Sequence, residues 1–360
     1  MLLSLAPSRG DDAVKRRSSA TVPFPRDPWE QRCRCGLTLT EMLLVIAIVG
    51  VLMAILLPAL QSAREAARRA HCLNNTRQLA LAMLSHASQQ QTLPFGSRTW
   101  IGDSLPPGPG RYYSDQTWYR PILPFIEAVS LSMIVDDSVS FSTAVNLPVR
   151  TTQNPVFVCP ADKGRMSVEG DPVLWPNDAR LRGNYAVNWG NTNYGQTPKI
   201  GVPFLGAPFS YRTGRPLASV RDGLSATLLM AEVIMTEDVG SGWPGPLGGD
   251  FMVAVGGQSF NGWLPPNSAV FDEAARVCPL EGQYNGIPGC ILVPGSCCSV
   301  AQQEQGTLQA SYCARSKHPG GVSASLCDGS VRFVSDAIDA SVWRALSTTK
   351  GAEPLDASAW

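Results

Sequence analysis

From Met42 to Ala63 the chain runs for 22 residues without a charged side chain. Roughly 20 apolar residues let a helix cross the hydrocarbon core of a bilayer, so this run predicts a membrane anchor. Glu41 stands directly before it, behind apolar Leu37 and Leu39. Carrying a carboxylate toward the bilayer centre costs about 2.5–3.5 kcal/mol even on the lenient insertion scale. An uncleaved signal anchor accounts for the span but leaves the acid unexplained.

The residues before the run differ in character. Residues 1–36 hold seven Lys/Arg against four Asp/Glu, a net of +3. The remaining 22 against 25 give residues 37–360 a net of −3, so the formal charge of zero is unevenly placed. A secretory signal would set an apolar core before a small-residue cleavage site. Here the order is reversed: the polar leader "VKRRSSATVPFPRDPWEQRCRCG" comes first, and the span follows Gly36 directly. A lipoprotein signal would need a Cys just after the apolar core, and none is there. Cut after Gly36, the chain begins Leu37-Thr38-Leu39-Thr40-Glu41, with the acid fifth.

In this arrangement "GLTLTEMLLVIAIVGVLMAILLPAL" resembles the N-terminal processing and methylation signal of type IV prepilins and pseudopilins. The resemblance implies cleavage between Gly36 and Leu37 by a prepilin peptidase on the cytoplasmic face, with methylation of the new amine. It also implies a partner for Glu41. When subunits stack, the carboxylate pairs with the N-terminal ammonium of a neighbour, so a buried charge that is costly alone is neutralised. The family usually opens its mature chain with Phe, where this chain has Leu37, and this leader is long.

Beyond the span, "QSAREAARRAHCLNNTRQLALAMLSHASQQ" is rich in good helix formers. Leu73, Ala80, Leu84 and Ala87 fall on one face at helical spacing, so the helix is expected to continue to Gln89, with a kink at Pro58. Arginines also follow the span, so charge does not settle the orientation. After Pro94 the texture changes. With 33 Gly, 29 Pro and only 16% charged residues, the remainder reads as a loop-rich domain rather than a helical bundle. "WYRPILPFIEAVSLSMIV" predicts a short, Pro-interrupted helix, while "PVFVCP", "GNYAVNWG" and "ATLLMAEVIM" predict strands of an antiparallel sheet. The fold class is therefore α+β. No broad basic balance points to nucleic acid.

Near the C-terminus, "SKHPGGVSASLCDGSVRFVSD" carries the sharpest local signal. Asp328-Gly329 predicts a two-residue hairpin turn with positive φ at both positions. That register sets Leu326 opposite Val331 and Ala324 opposite Phe333, all on one face, with Ser325 and Arg332 on the other. His318 precedes Asp328 by nine intervening residues. Together with "CLNNTRQLALAMLSH", "FVCPAD", "GNYAVN" and "VRDGLSATLLMAE", this signature resembles the bacterial pseudopilin-like family called domain of unknown function 1559. The resemblance covers nearly the whole chain from Gly36 and implies processing, topology and fold type, but no reaction.

Candidates for chemistry are few. His71, His86 and His318 are the only histidines; the first two sit on the long helix and are expected to be exposed. His318 and Asp328 form an acid–base or ligand pair in one reading. In the other, the aspartate is a turn residue and the histidine fastens the incoming chain. No C-x₂-C pair suggests zinc and no D-x-D-x-D-G run suggests an EF-hand, so no metal or cofactor is expected. Asp222-Gly223 and Glu232 read as turn and strand residues.

Cys33 and Cys35 fall in the leader, leaving Cys72, Cys159, Cys278, Cys290, Cys297, Cys298, Cys313 and Cys327. An even number, five of them between 278 and 313, predicts a local disulfide cluster in an oxidising compartment. Cys72 reads equally as bonded or as a buried free thiol.

The expected organisation is a leader over 1–36, a transmembrane and extended helix over 37–93, and an exported α+β domain over 94–360. The expected protein is no enzyme. It is a pseudopilin-like subunit of a pilus-like or type II secretion-like filament, held in the inner membrane by one span, with its C-terminal domain in the periplasm or at the cell surface. Prepilin peptidase and other pilin-like subunits are the expected partners, and Gly36, Leu37 and Glu41 the residues of processing and assembly. His318, Asp328 and Gly329 form a structural motif. The alternative is a surface-tethered binding module that uses the prepilin route only for export and anchoring.

Overall fold

The computed structural model describes residues 38–98, 116–139, 141, 143–162, 167–168, 179–211, 213–235, 259–274, 290–292 and 310–353. Gly36 and Leu37 lie outside them, as do Cys33, Cys35, Cys278, Cys297 and Cys298. The chain divides into two compact units, Met1–Pro58 and Ala59–Trp360.

The first unit contributes the start of helix α1, Leu39–Gln90. Thr38 and Glu41 cap it reciprocally: Thr38 N donates to Glu41 Oε2 at 2.8 Å, and Glu41 N donates to Thr38 Oγ1 at 3.3 Å. This capping box satisfies donors that the first helical turn leaves orphaned. The apolar side chains from Met42 to Leu57 are exposed, as a lipid-facing helix requires. Among the described residues this is the one helix long and apolar enough to cross a membrane.

In the second unit, the last turns of α1 bury Cys72, Asn75, Thr76, Leu79, Ala80, Ala82, Met83 and Ala87. Ala80 and Ala87 belong to that stripe as expected, but Leu73 and Leu84 are half-buried at its edge. The true core face is rotated toward Thr76, Leu79 and Met83. His71 is exposed, whereas His86 is half-buried and meets the Thr92 carbonyl oxygen at 3.0 Å.

The main sheet has five strands in the order β11-β10-β6-β5-β7. These are β5 (Tyr185–Asn188), β6 (Leu228–Glu232), β7 (Ser259–Phe260), β10 (Gly321–Leu326) and β11 (Val331–Ser335). Four strands pair antiparallel, as expected, but β7 runs parallel to β5 through Val187↔Ser259 and Asn188↔Phe260, so the sheet is mixed. Small two-stranded ribbons surround it: β1 (Ser97–Arg98) with β2 (Gln116–Thr117), β3 (Ser167–Val168) with β4 (Arg180–Leu181), and β8 (Asp272–Ala274) with β9 (Cys290–Leu292).

The sheet separates two cores. On one face Tyr185, Val187 and Leu229 join Leu79, Ala80 and Met83 of α1, with Trp118, Tyr119 and Phe157 filling the layer. On the other, Ala186, Leu228, Val322, Ala324 and Val334 pack with Trp343 and Leu346 of the C-terminal helix Ala340–Leu346. The predicted Pro-interrupted helix is broken into Tyr119–Ile122, a 3₁₀ turn at Leu123–Phe125, and Val129–Ile134. "PVFVCP" is not a strand but a 3₁₀ turn over Pro155–Phe157. Pro155 fits the first helical position, and the Asn154 side chain accepts from Val156 N at 3.1 Å.

The C-terminal hairpin forms with a different turn. Gly329 N donates to the Leu326 carbonyl oxygen and Leu326 N donates to the Ser330 carbonyl oxygen, each at 2.9 Å. Gly329 has φ +86°, while Asp328 is absent from the described non-glycine residues with positive φ. The loop is thus three residues, Cys327-Asp328-Gly329, with glycine alone in the left-handed position, a common alternative to the two-residue turn. The extra residue shifts the register by one: Ser325 faces Val331, Ala324 faces Arg332, and Ser323 faces Phe333. Leu326 and Ala324 therefore do not share a face with Val331 and Phe333.

The cysteines also correct expectation. Cys72 is bonded to Cys159, with Cα atoms 5.4 Å apart. Cys313 and Cys327 are buried free thiols, so the even count does not translate into complete pairing. Burial pushes the Cys313 thiol up to about 12.

Candidate functional site

Helix α1 continues its buried stripe upstream as a polar one. Glu65, Arg69 and Cys72 follow the i, i+4, i+7 spacing that places side chains on one helix face. Three other segments converge there: the loop bearing Cys159, the end of β6 at Glu232, and the chain entering β10 at His318.

His318 sits at the centre, its side chain wholly buried. Its Nδ1 lies 2.6 Å from Glu65 Oε1, and its Nε2 lies 3.3 Å from Cys159 Sγ and 3.6 Å from Glu232 Oε1. With Nδ1–H donating to Glu65, Nε2 is the ring nitrogen that faces the sulfur and the second carboxylate. The histidine ring also packs edge-on to Phe333, with centroids 6.4 Å apart. Arg69 lies over the Phe333 ring, its guanidinium carbon 4.0 Å from the centroid, and donates to the Pro319 carbonyl oxygen at 3.1 Å.

The two carboxylates differ. Burial pushes Glu65 up, but hydrogen bonds from His318 and Arg68, and their charges, hold it below its ordinary value. Arg68 donates to Glu65 Oε2 through both Nε, at 3.0 Å, and Nη2, at 2.6 Å. Glu232 is 1% exposed, and burial raises its carboxyl despite the opposing Ser323 backbone hydrogen bond and the nearby imidazole. Its Oε2 accepts from Ser323 N at 2.7 Å, while its Oε1 makes no hydrogen bond among the described residues. Strand membership alone, the expectation for Glu232, misses this role.

A polar clasp fixes the Cys159 loop. The Asn184 side chain accepts from Cys159 N at 2.9 Å and donates to Asp162 Oδ2 at 2.6 Å and to the Val233 carbonyl oxygen at 3.0 Å. Tyr185 Oη reaches the Cys72 carbonyl oxygen at 3.3 Å. The sulfurs are held between helix and sheet.

His318 and Asp328 do not form a pair. Asp328 is exposed and accepts from Ser330 N at 2.9 Å and Ser330 Oγ at 2.7 Å, stiffening the hairpin turn. Asp222 likewise serves a loop, accepting from Thr348 Oγ1, Gly351 N and Ala352 N, each at 2.8 Å. What the structure does assemble is Cys72, Cys159, Glu232 and His318, each offering a ligand atom within 4.8 Å of the others. Sequence reading found His318 and missed the rest, because these residues are scattered along the chain. The only local signal was the Glu65-Arg69-Cys72 stripe.

No curated protein and no solved structure matches the chain. Residues 31–57 match the Prokaryotic N-terminal methylation motif, which indicates a type IV pilin-like, prepilin-pathway protein, and the long apolar helix α1 fits a membrane anchor. Residues 61–341 match the family described as Protein of unknown function (DUF1559), and with most of its length covered the chain belongs to that family.

Proposed function

We infer that the protein is a structural subunit of a pilus-like or type II secretion-like filament. Prepilin peptidase cleaves it between Gly36 and Leu37, the new amine is methylated, and the helix stays in the inner membrane. The C-terminal domain lies in the periplasm or at the cell surface. The observation that carries this reading is the methylation motif over residues 31–57, with Glu41 fifth after Gly36.

The capping box supports a specific role for Glu41. In the lone chain its carboxylate is engaged by Thr38, through N at 2.8 Å and Oγ1 at 2.9 Å. Cleavage places a charged amine four residues upstream, and a neighbour's ammonium then competes for the same oxygens.

Mass spectrometry of the mature N-terminus tests the processing step, with loss of residues 1–36 and a methyl group on Leu37 expected. Gly36→Leu should block both. Glu41→Ala should leave membrane insertion intact and abolish cross-linked ladders of subunits. A processed chain that stays as dispersed monomers in the wild type would replace the filament reading by a tethered binding module.

A further inference from the structure

The disulfide, the histidine and Glu232 together have the composition of a zinc shell. We propose that the reduced chain folds around one zinc ion held by Cys72, Cys159, His318 and Glu232, and that closing the Cys72–Cys159 disulfide is the alternative outcome of the same assembly. Thiolate, imidazole and carboxylate are the donors zinc takes in four-coordinate sites. Metal–ligand distances of about 2.3 Å to sulfur and 2.0–2.2 Å to nitrogen or oxygen place tetrahedral donor atoms roughly 3.3–3.8 Å apart. The His318 Nε2 distances, 3.3 Å to Cys159 Sγ and 3.6 Å to Glu232 Oε1, already meet that spacing.

Two further observations point to a ligand rather than to packing alone. Glu232 Oε1 is buried, makes no hydrogen bond among the described residues, and is aimed at His318 Nε2, 3.6 Å away. A bare buried carboxylate oxygen is costly, and a cation is the partner that would complete it. The other ring nitrogen of His318 is engaged by Glu65 at 2.6 Å. A carboxylate in that place fixes the tautomer with Nε2 free to ligate and raises its basicity, the usual outer-shell arrangement of metal-bound histidines. The remaining Glu232 oxygen is held by Ser323 N, so both non-sulfur ligands are oriented in advance.

The two outcomes balance chemically. Zinc binding releases the two thiol protons and leaves two thiolates, one carboxylate and a neutral imidazole around a divalent ion. In the alternative, the two thiols reduce an external disulfide oxidant to its dithiol, passing on two electrons and two protons, and form the S–S bond. The sulfurs then have no thiolate to offer, so an oxidised chain cannot hold the ion. With the four groups buried, the choice is made as the chain folds.

The test uses the full chain in detergent, refolded with zinc under a phosphine reductant or under an oxidising thiol–disulfide pair, then desalted. The expected result is one equivalent of zinc in the reduced chain that is absent from the oxidised one. That equivalent should be lost in Cys72→Ser/Cys159→Ser. X-ray absorption at the zinc edge of the wild type should show a shell of two sulfurs and two lighter atoms, a reading that needs no variant. His318→Ala and Glu232→Gln should weaken zinc binding by more than tenfold, and Glu65→Gln by about tenfold. The proposal is overturned if the reduced chain takes up no stoichiometric zinc. It is equally overturned by a four-sulfur shell, or by undiminished affinity in both His318→Ala and Glu232→Gln.

Discussion

His318 Nδ1 lies 2.6 Å from Glu65 Oε1, although 253 residues separate the two in the chain. One belongs to the helix that emerges from the membrane-spanning run, the other to the chain entering the C-terminal hairpin. Their contact, together with the Arg68 fork on the same carboxylate, ties the two ends of the domain at one point.

Removing that carboxylate should therefore weaken the domain without disturbing the anchor. Glu65→Gln keeps the volume and loses the charge-assisted bond, and hydrogen bonds to charged groups contribute about 1.5–3 kcal/mol. The side chain remains 21% exposed, which sets the expected loss near the low end. Urea unfolding of the detergent-solubilised chain measures it; a midpoint unchanged from wild type would remove the tie.

The parts of the molecule legible in advance were those with local causes. Helix α1 follows from an apolar run and a helix-forming continuation, and β5 and β6 from short apolar segments between turn residues. The hairpin was legible from Asp328-Gly329, but its register was not. Only Gly329 takes a positive φ, so the turn has three residues, and one added residue reverses which side chains share a face. Pro155 and the Asn154 cap turned an apolar stretch into a 3₁₀ turn. The histidine cluster was hidden for another reason. Its members meet only after folding, and only the Glu65-Arg69-Cys72 spacing hinted at a polar face.

The Cys72–Cys159 bond closes a loop with a sequence separation of 87. Chain-entropy models assign loops of this size about 4–5 kcal/mol, and removal of native bridges typically costs about 2–5 kcal/mol. Cys72→Ser/Cys159→Ser, compared with the oxidised wild type, should show a loss in that range. Peptide mapping without reduction should recover the peptides containing Cys72 and Cys159 as one linked species, and separate peptides would refute the pairing.

The C-terminal helix gives a pH-dependent term. Asp339 caps it, accepting from Ser341 N at 2.7 Å and from Ser341 Oγ. These hydrogen bonds, that of the side chain foremost, hold its carboxyl below the ordinary value. A carboxyl whose folded pKa lies below its unfolded one stabilises fully above the unfolded value, about 3.9. The contribution is lost as pH falls through the folded value. Asp339→Asn keeps a capping oxygen and removes the titration. Melting temperatures of wild type and Asp339→Asn should differ most near neutral pH and converge as pH falls below the unfolded value and through the folded one. A constant offset across that range would exclude the carboxylate as its source.

The hairpin turn separates a backbone role from a side-chain role. Gly329 has φ +86°, and a Cβ added there would come within 2.8 Å of Leu84 Cδ1. The leucine tip is flexible and can yield, but the backbone angle is one that a β-branched residue rarely adopts. Gly329→Val should therefore destabilise by more than about 1 kcal/mol. Asp328→Asn should be mild, because an amide oxygen can still accept from Ser330 N and Ser330 Oγ, where the carboxylate now does at 2.9 and 2.7 Å. Asn also tolerates this turn position well. Thermal melts of the two variants rank the effects directly. If Asp328→Asn lost more stability than Gly329→Val, the aspartate's charge, not the glycine's backbone freedom, would be what holds the turn.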